Sequence, residues 1–216
     1  MKKTLLAVAA AFIGLSAQAA TVSYSFSNPF QTTEIAQTGS LGLFDGSLGV
    51  LTGYTLTLNG GAVMSFGGTN TAAQSQRATL TSSVELFFSS SLAAVNAAMI
   101  DSILVSATSG SQQYAVGETK SFGPFTENGT DDVGGVALAS FIGLGAFDVS
   151  CESSSGLAVQ GGGGNIATTQ STTAGCGASI EYVYRERQNR VPEPASLALV
   201  GLALAGAAAA SRKRKA

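Results

Sequence analysis

Residues 53–61 read Gly53-Tyr54-Thr55-Leu56-Thr57-Leu58-Asn59-Gly60-Gly61, an alternation of apolar and hydroxyl side chains that runs into an Asn-Gly-Gly triplet. A period of two sends Tyr54, Leu56 and Leu58 to one face and Thr55 and Thr57 to the other, the pattern of a half-buried strand, and the triplet reads as the turn that ends it. Upstream, Val22, Tyr24 and Phe26 alternate with Ser23, Ser25 and Ser27; far downstream, Ile180, Tyr182 and Tyr184 oppose Glu181 and Arg185. Further strands are expected over 78–89, 100–107 and 136–150 and around Leu157, with turns at Asp45-Gly46 and Gly67-Gly68. Leu92, Val95 and Met99 fall near helical spacing, enough for one or two helical turns within 92–100. Many short strands without a long amphipathic helix predict an all-β fold, a single antiparallel β-sandwich domain over residues 20–184.

Composition narrows the chemistry. The 216 residues include no His, no Trp and two Cys. Without imidazole there is no His-bearing triad and no His-ligated zinc, and two thiolates cannot fill a structural zinc site. Residues 20–184 hold two bases, Arg77 and Lys120, against eleven acids, a net charge of −9. Such a domain repels nucleic acid, whose binding depends on Lys and Arg neutralising phosphates, so nucleic acid is excluded as a partner.

The remaining local motifs are weak. Gly161 to Gly164 lacks the Gly-Lys-Ser/Thr of a phosphate loop and reads as a flexible connection. Asp131-Asp132, near Glu127 and Asn128, offers oxygen ligands without the spacing of an EF-hand loop. Asn128-Gly129-Thr130 fits a glycosylation sequon, a short pattern that a Thr-rich chain produces by chance. The acids include no pair singled out as a glycosidase dyad, and the serines have no base. No catalytic residue, metal or cofactor is expected, and the chain reads as a non-enzyme.

The two ends carry addresses. Lys2 and Lys3 precede the apolar run 5–15 and the small-residue pattern Ala17-Gln18-Ala19, the order of a secretory signal peptide. Residues 1–19 are therefore expected to be removed, with cleavage between Ala19 and Ala20 or, alternatively, before Thr21. The eleven-residue apolar run is about half the length that a bilayer core of roughly 30 Å demands.

At the other end, residues 185–190 (Arg185-Glu186-Arg187-Gln188-Asn189-Arg190) read as a solvated linker, and 191–216 as a tripartite segment. Pro192, Glu193 and Pro194 come first, then an apolar stretch over 195–210, then Arg212, Lys213, Arg214 and Lys215. The stretch predicts a single transmembrane helix about 24 Å long, with the basic cluster cytoplasmic. The prolines hold the Pro-Glu-Pro triplet extended at the outer face, open to a peptidase. This segment resembles the PEP-CTERM sorting signal of Gram-negative bacteria. The resemblance implies processing by an exosortase as a transient partner, an inner-membrane-tethered precursor exported by the general secretory route, and a host that makes exopolysaccharide.

A second resemblance lies inside the domain. Phe44-Asp45-Gly46-Ser47-Leu48-Gly49-Val50-Leu51 is similar to the opening signature of the choice-of-anchor E domain, and Cys176 to Tyr184 is similar to its closing strand; the resemblance implies a surface module with no known catalytic activity. Phe44 and Leu48 are also accounted for as core residues flanking an Asp-Gly turn. Cys151 and Cys176, an even count in an oxidising compartment, are expected to form one disulfide around the Gly161 tract. The function read from the whole is that of an exported cell-surface or matrix protein, structural or adhesive. The alternatives are a carbohydrate-binding module for the cell's own exopolysaccharide, with Tyr24, Tyr54 or Tyr114 as stacking platforms, and a periplasmic protein retained on the inner membrane.

Overall fold

The computed structural model describes residues 19–99 and 102–187, together with Gly201. The expected signal peptide up to residue 18, the linker beyond 187, and the triplet and basic cluster of the tail lie outside the described residues. The chain divides into two units, Met1–Arg185 and Glu186–Ala216, and all but the last residue of the strands belongs to the first. Among the described residues no helix is long and apolar enough to cross a membrane.

Nine strands form in the described residues: β1 (Ala19–Ser27), β2 (Gln31–Thr32), β3 (Ala36–Gly42), β4 (Gly49–Asn70), β5 (Gln76–Ser90), β6 (Ser102–Tyr114), β7 (Thr119–Val133), β8 (Ala146–Gly161) and β9 (Ile166–Glu186). A single helical turn, α1 (Ala93–Asn96), buries Val95 between β5 and β6. One sheet runs β1-β9-β4-β7 with β2 beside β9, and the other runs β3-β8-β5-β6. The fold is all-β, with two antiparallel sheets.

The alternation read from the sequence sets the inner faces. Leu56 and Leu58 of β4 and Ile180 and Tyr182 of β9 are buried, and they join Leu80, Val84 and Leu86 of β5 in one core. Each such side chain taken fully from water contributes about 1.5–3 kcal/mol. Aromatic rings sit over residues that have no Cβ. A Cβ at Gly42 would lie 2.6 Å from Tyr24, and one at Gly39 would overlap the Phe26 ring.

In three places the structure departs from the expected pattern. Asn59-Gly60-Gly61 and Gly67-Gly68 are not turns, because β4 runs through both. Gly60 lacks a side chain because Leu86 and Ile103 of the facing sheet occupy the space. The strand expected over 136–150 starts only at Ala146; Leu138–Phe141 is a 3-10 turn that carries Phe141 into the core, and Gly145 takes φ 101°. The linker expected from Arg185 begins later, since Arg185 pairs with Ala19 and β9 ends at Glu186.

Cys151 and Cys176 are disulfide-bonded, with Cα atoms 6.5 Å apart. Cys151 lies on β8 and Cys176 on β9, so the bond crosses the core from sheet to sheet. Gly161 to Gly164 joins these two strands, and all four glycines have positive φ, between 54° and 89°. L-residues with a Cβ rarely adopt that region, which is why these four positions are glycine.

Candidate functional site

Of the residues picked out from the sequence, Ala19 and Ala20 begin β1, opposite Arg185 and Tyr184. A cut between them would remove one residue pair from the strand. Pro192, Glu193, Pro194, Arg212, Lys213, Arg214 and Lys215 are outside the described residues.

The acidic cluster is spread apart by its strand. Asp131 and Asp132 are neighbours on β7 and so project to opposite faces. Asp132 accepts a 2.6 Å hydrogen bond from Thr57 on β4. Among the described residues, no group of three or more His, Cys, Asp or Glu is placed to hold a metal.

The signature around Phe44 and the closing strand meet in space. Phe44 is buried, with its ring centroid 5.8 Å from that of Tyr182 and 5.3 Å from that of Tyr184. Asp45 makes the expected turn: its carboxylate accepts the Ser47 N–H at 2.8 Å, and the Leu48 N–H reaches its carbonyl at 3.1 Å. Those hydrogen bonds from Ser47 hold the Asp45 carboxyl below its ordinary value. Leu48 is not core; it is 40% exposed.

The tyrosines proposed as stacking platforms are committed elsewhere. Tyr114 is fully buried. Tyr54 packs on Phe141 at 4.5 Å, and its hydroxyl accepts the Val136 N–H at 2.9 Å. Tyr24 contacts Tyr182 edge-on at 6.3 Å and fills the space over Gly42. An alternating strand with one apolar face sends its tyrosines inward, and Tyr24 and Tyr54 follow that rule; Tyr114 is buried beyond the irregularity that shifts the register of β6 between Thr108 and Ser111.

A different aromatic is free. Phe30, in the connection between β1 and β2, is 46% exposed and stands on the outward face of the five-stranded sheet. Its position follows from the floor beneath it. A Cβ at Gly175 would lie 2.5 Å from Phe30 Cδ1 and 3.1 Å from Cε1, and one at Gly61 would lie 3.2 Å from Cζ, so one edge of the ring rests on bare backbone. The approach to the ring is held by the disulfide-bonded middle of β9. The Asn28 N–H donates to the Cys176 carbonyl at 2.9 Å. Gln37, opposite Cys151 on β3, donates from Nε2 to the Pro29 carbonyl at 2.8 Å and accepts the Cys176 N–H at 3.1 Å.

Phe30 borders an open groove of about 240 Å³ whose rim carries Ser27, Asn28, Asn59, Asn128 and Thr130 and whose floor includes Gly61, Gly175 and Gly177. No charged side chain lines it. The Asn28 Nδ2 is buried and has no hydrogen-bond partner. Sequence reasoning missed Phe30 because it falls outside every alternating run; the nearest signal was the sequon, which places Asn128 and Thr130 on one outward face two residues apart.

Comparison with known proteins locates the address. Residues 190–215 match the PEP-CTERM protein-sorting motif. The chain carries a PEP-CTERM signal. That signal marks an exported or surface protein sorted by an exosortase and anchored in the membrane before processing. No curated protein matches the chain. Among solved structures, infectious bursal disease virus of the Gx strain is 11% identical over 80% of this chain and 37% of that one, at a TM-score of 0.18. The Gt strain structure is 10% identical, with 87% and 47% covered and a TM-score of 0.18. The D431N mutant VP2 protein of the same virus gives 10%, 87%, 47% and 0.20. The chain thus spans less than half the length of these viral chains, and such scores establish neither a common fold nor a function.

Proposed function

We propose that this chain is a non-catalytic structural or adhesive component of the cell surface or extracellular matrix. The observation that carries the reading is the sorting motif at residues 190–215. On this reading the signal peptide is cut between Ala19 and Ala20, and the apolar stretch 195–210 tethers the precursor in the inner membrane. The exosortase then releases the domain near Pro192 and Pro194. A choice-of-anchor E type module suits that role, as does a chain with serines but no histidine to activate them. Retention on the inner membrane is the competing fate.

Cell fractionation of a variant with Pro192→Ala and Pro194→Ala tests the proposal. Loss of both prolines lets the apolar helix extend toward the domain and removes the extended triplet. The expected result is precursor in the inner membrane, with the extracellular fraction reduced at least tenfold. Equal extracellular amounts of variant and wild type would contradict exosortase sorting.

A further inference from the structure

We propose that the glycine-floored groove beside Phe30 binds an uncharged polysaccharide, with one sugar ring against the phenyl face and its hydroxyls on the asparagine amides. The groove is shallow and open, floored by Gly61, Gly175 and Gly177 where any side chain would intrude on the ring or on the neighbouring backbone. An open trough fits a polymer passing through it better than a small molecule enclosed by it.

The lining selects charge. No charged side chain lines the groove, so an ionic ligand finds no counter-charge there, and the net −9 of residues 20–184 repels polyanions at long range. What remains for recognition is one exposed aromatic ring and three primary amides. An amide offers a donor and an acceptor side by side, which matches the adjacent hydroxyls of a sugar, while the C–H face of the sugar covers the ring.

The groove is also built to keep its shape. Phe30 sits one residue beyond Pro29, whose carbonyl is held by Gln37, and two beyond Asn28, whose N–H is held by Cys176. The ring is therefore presented from a connection fastened to the disulfide, a preorganised platform.

The test is affinity electrophoresis of the protein purified from its host, with or without its tail, in gels containing dextran, a soluble β-glucan, galactomannan or the host's own neutral polysaccharide, with alginate as the acidic control. At least one neutral polymer should retard the protein and alginate should not. Phe30→Ala should raise the dissociation constant at least tenfold with an unchanged melting temperature, and Phe30→Trp should restore retardation. Asn128→Ala, at an exposed position, provides an independent variant and should weaken binding several-fold. No retardation on any neutral polymer, retardation by alginate alone, or full retardation of both Phe30→Ala and Asn128→Ala would overturn the proposal. The assay never reads the tail, so its failure leaves the sorting reading standing, and failure of sorting leaves the groove standing.

Discussion

Burial holds the phenols of Tyr182 and Tyr114 above their ordinary value of 10.0; Tyr24 beside Tyr182 and Glu118 near Tyr114 add to the shift. In the unfolded chain both titrate near pH 10. A folded-state pKa raised above the unfolded one contributes stability that is complete below about pH 10 and is lost as pH rises toward the folded value. The Tyr182 hydroxyl also donates to the Gly42 carbonyl at 2.9 Å, a bond that ends when the proton leaves. The expected outcome is a melting temperature flat across neutral pH that falls above about pH 10, with part of the tyrosinate absorbance appearing only as the protein unfolds. Complete ionisation of all the tyrosines at pH 11 with the far-UV spectrum intact would refute it. Asp45 works in the opposite sense: its lowered pKa adds stability above the ordinary carboxylate value that is lost on acidification.

At the scale of the element, β4 shows how glycine misleads a reader of sequence. Leu56, Leu58, Gly60, Ala62, Met64, Phe66 and Gly68 are all buried, so one parity persists from Leu56 to Gly68. A turn reading of Asn59-Gly60-Gly61 ignores that continuity. Glycine here answers to the opposite sheet, not to a positive φ. Gly60→Val should therefore collide with Leu86 and destabilise by about 1–3 kcal/mol, read as a lower midpoint in urea with an unchanged slope; a midpoint equal to wild type would show that the sheets do not meet there. The strand β7 was hidden for another reason. Thr119–Val133 contains Pro124, Lys120, Glu127 and paired aspartates, residues that read as a loop or ligand set. They are tolerated because β7 is an edge strand, where proline and charge discourage pairing with other chains. The alternating strands β1 and β9 and the turn at Asp45-Gly46 were legible because each keeps a single apolar face or a side chain that makes its own turn. Phe30 was not legible, since its exposure depends on glycines more than thirty residues away.

Across the whole molecule, the single covalent cross-link among the described residues ties one sheet to the other. Closing a loop of this length stabilises by about 3 kcal/mol on chain-entropy grounds. Cys151→Ser should lower the melting temperature by several degrees and loosen the Asn28–Phe30 connection to proteolysis, because Cys176 and Gln37 hold it; nonreducing gels and limited digestion check both, and an unchanged melting temperature would show that the cross-link is dispensable. Protein class and cross-link were readable because both depend on composition and periodicity, whereas strand order depends on contacts between distant segments. On the proposed function, the all-β domain is delivered outside the cell by a PEP-CTERM signal that is removed on the way. Intact-mass spectrometry of the extracellular protein tests this most directly: the mass should be that of a chain beginning at Ala20 or Thr21 and ending near Pro194, and a mass that still includes Arg212 to Lys215 would contradict it.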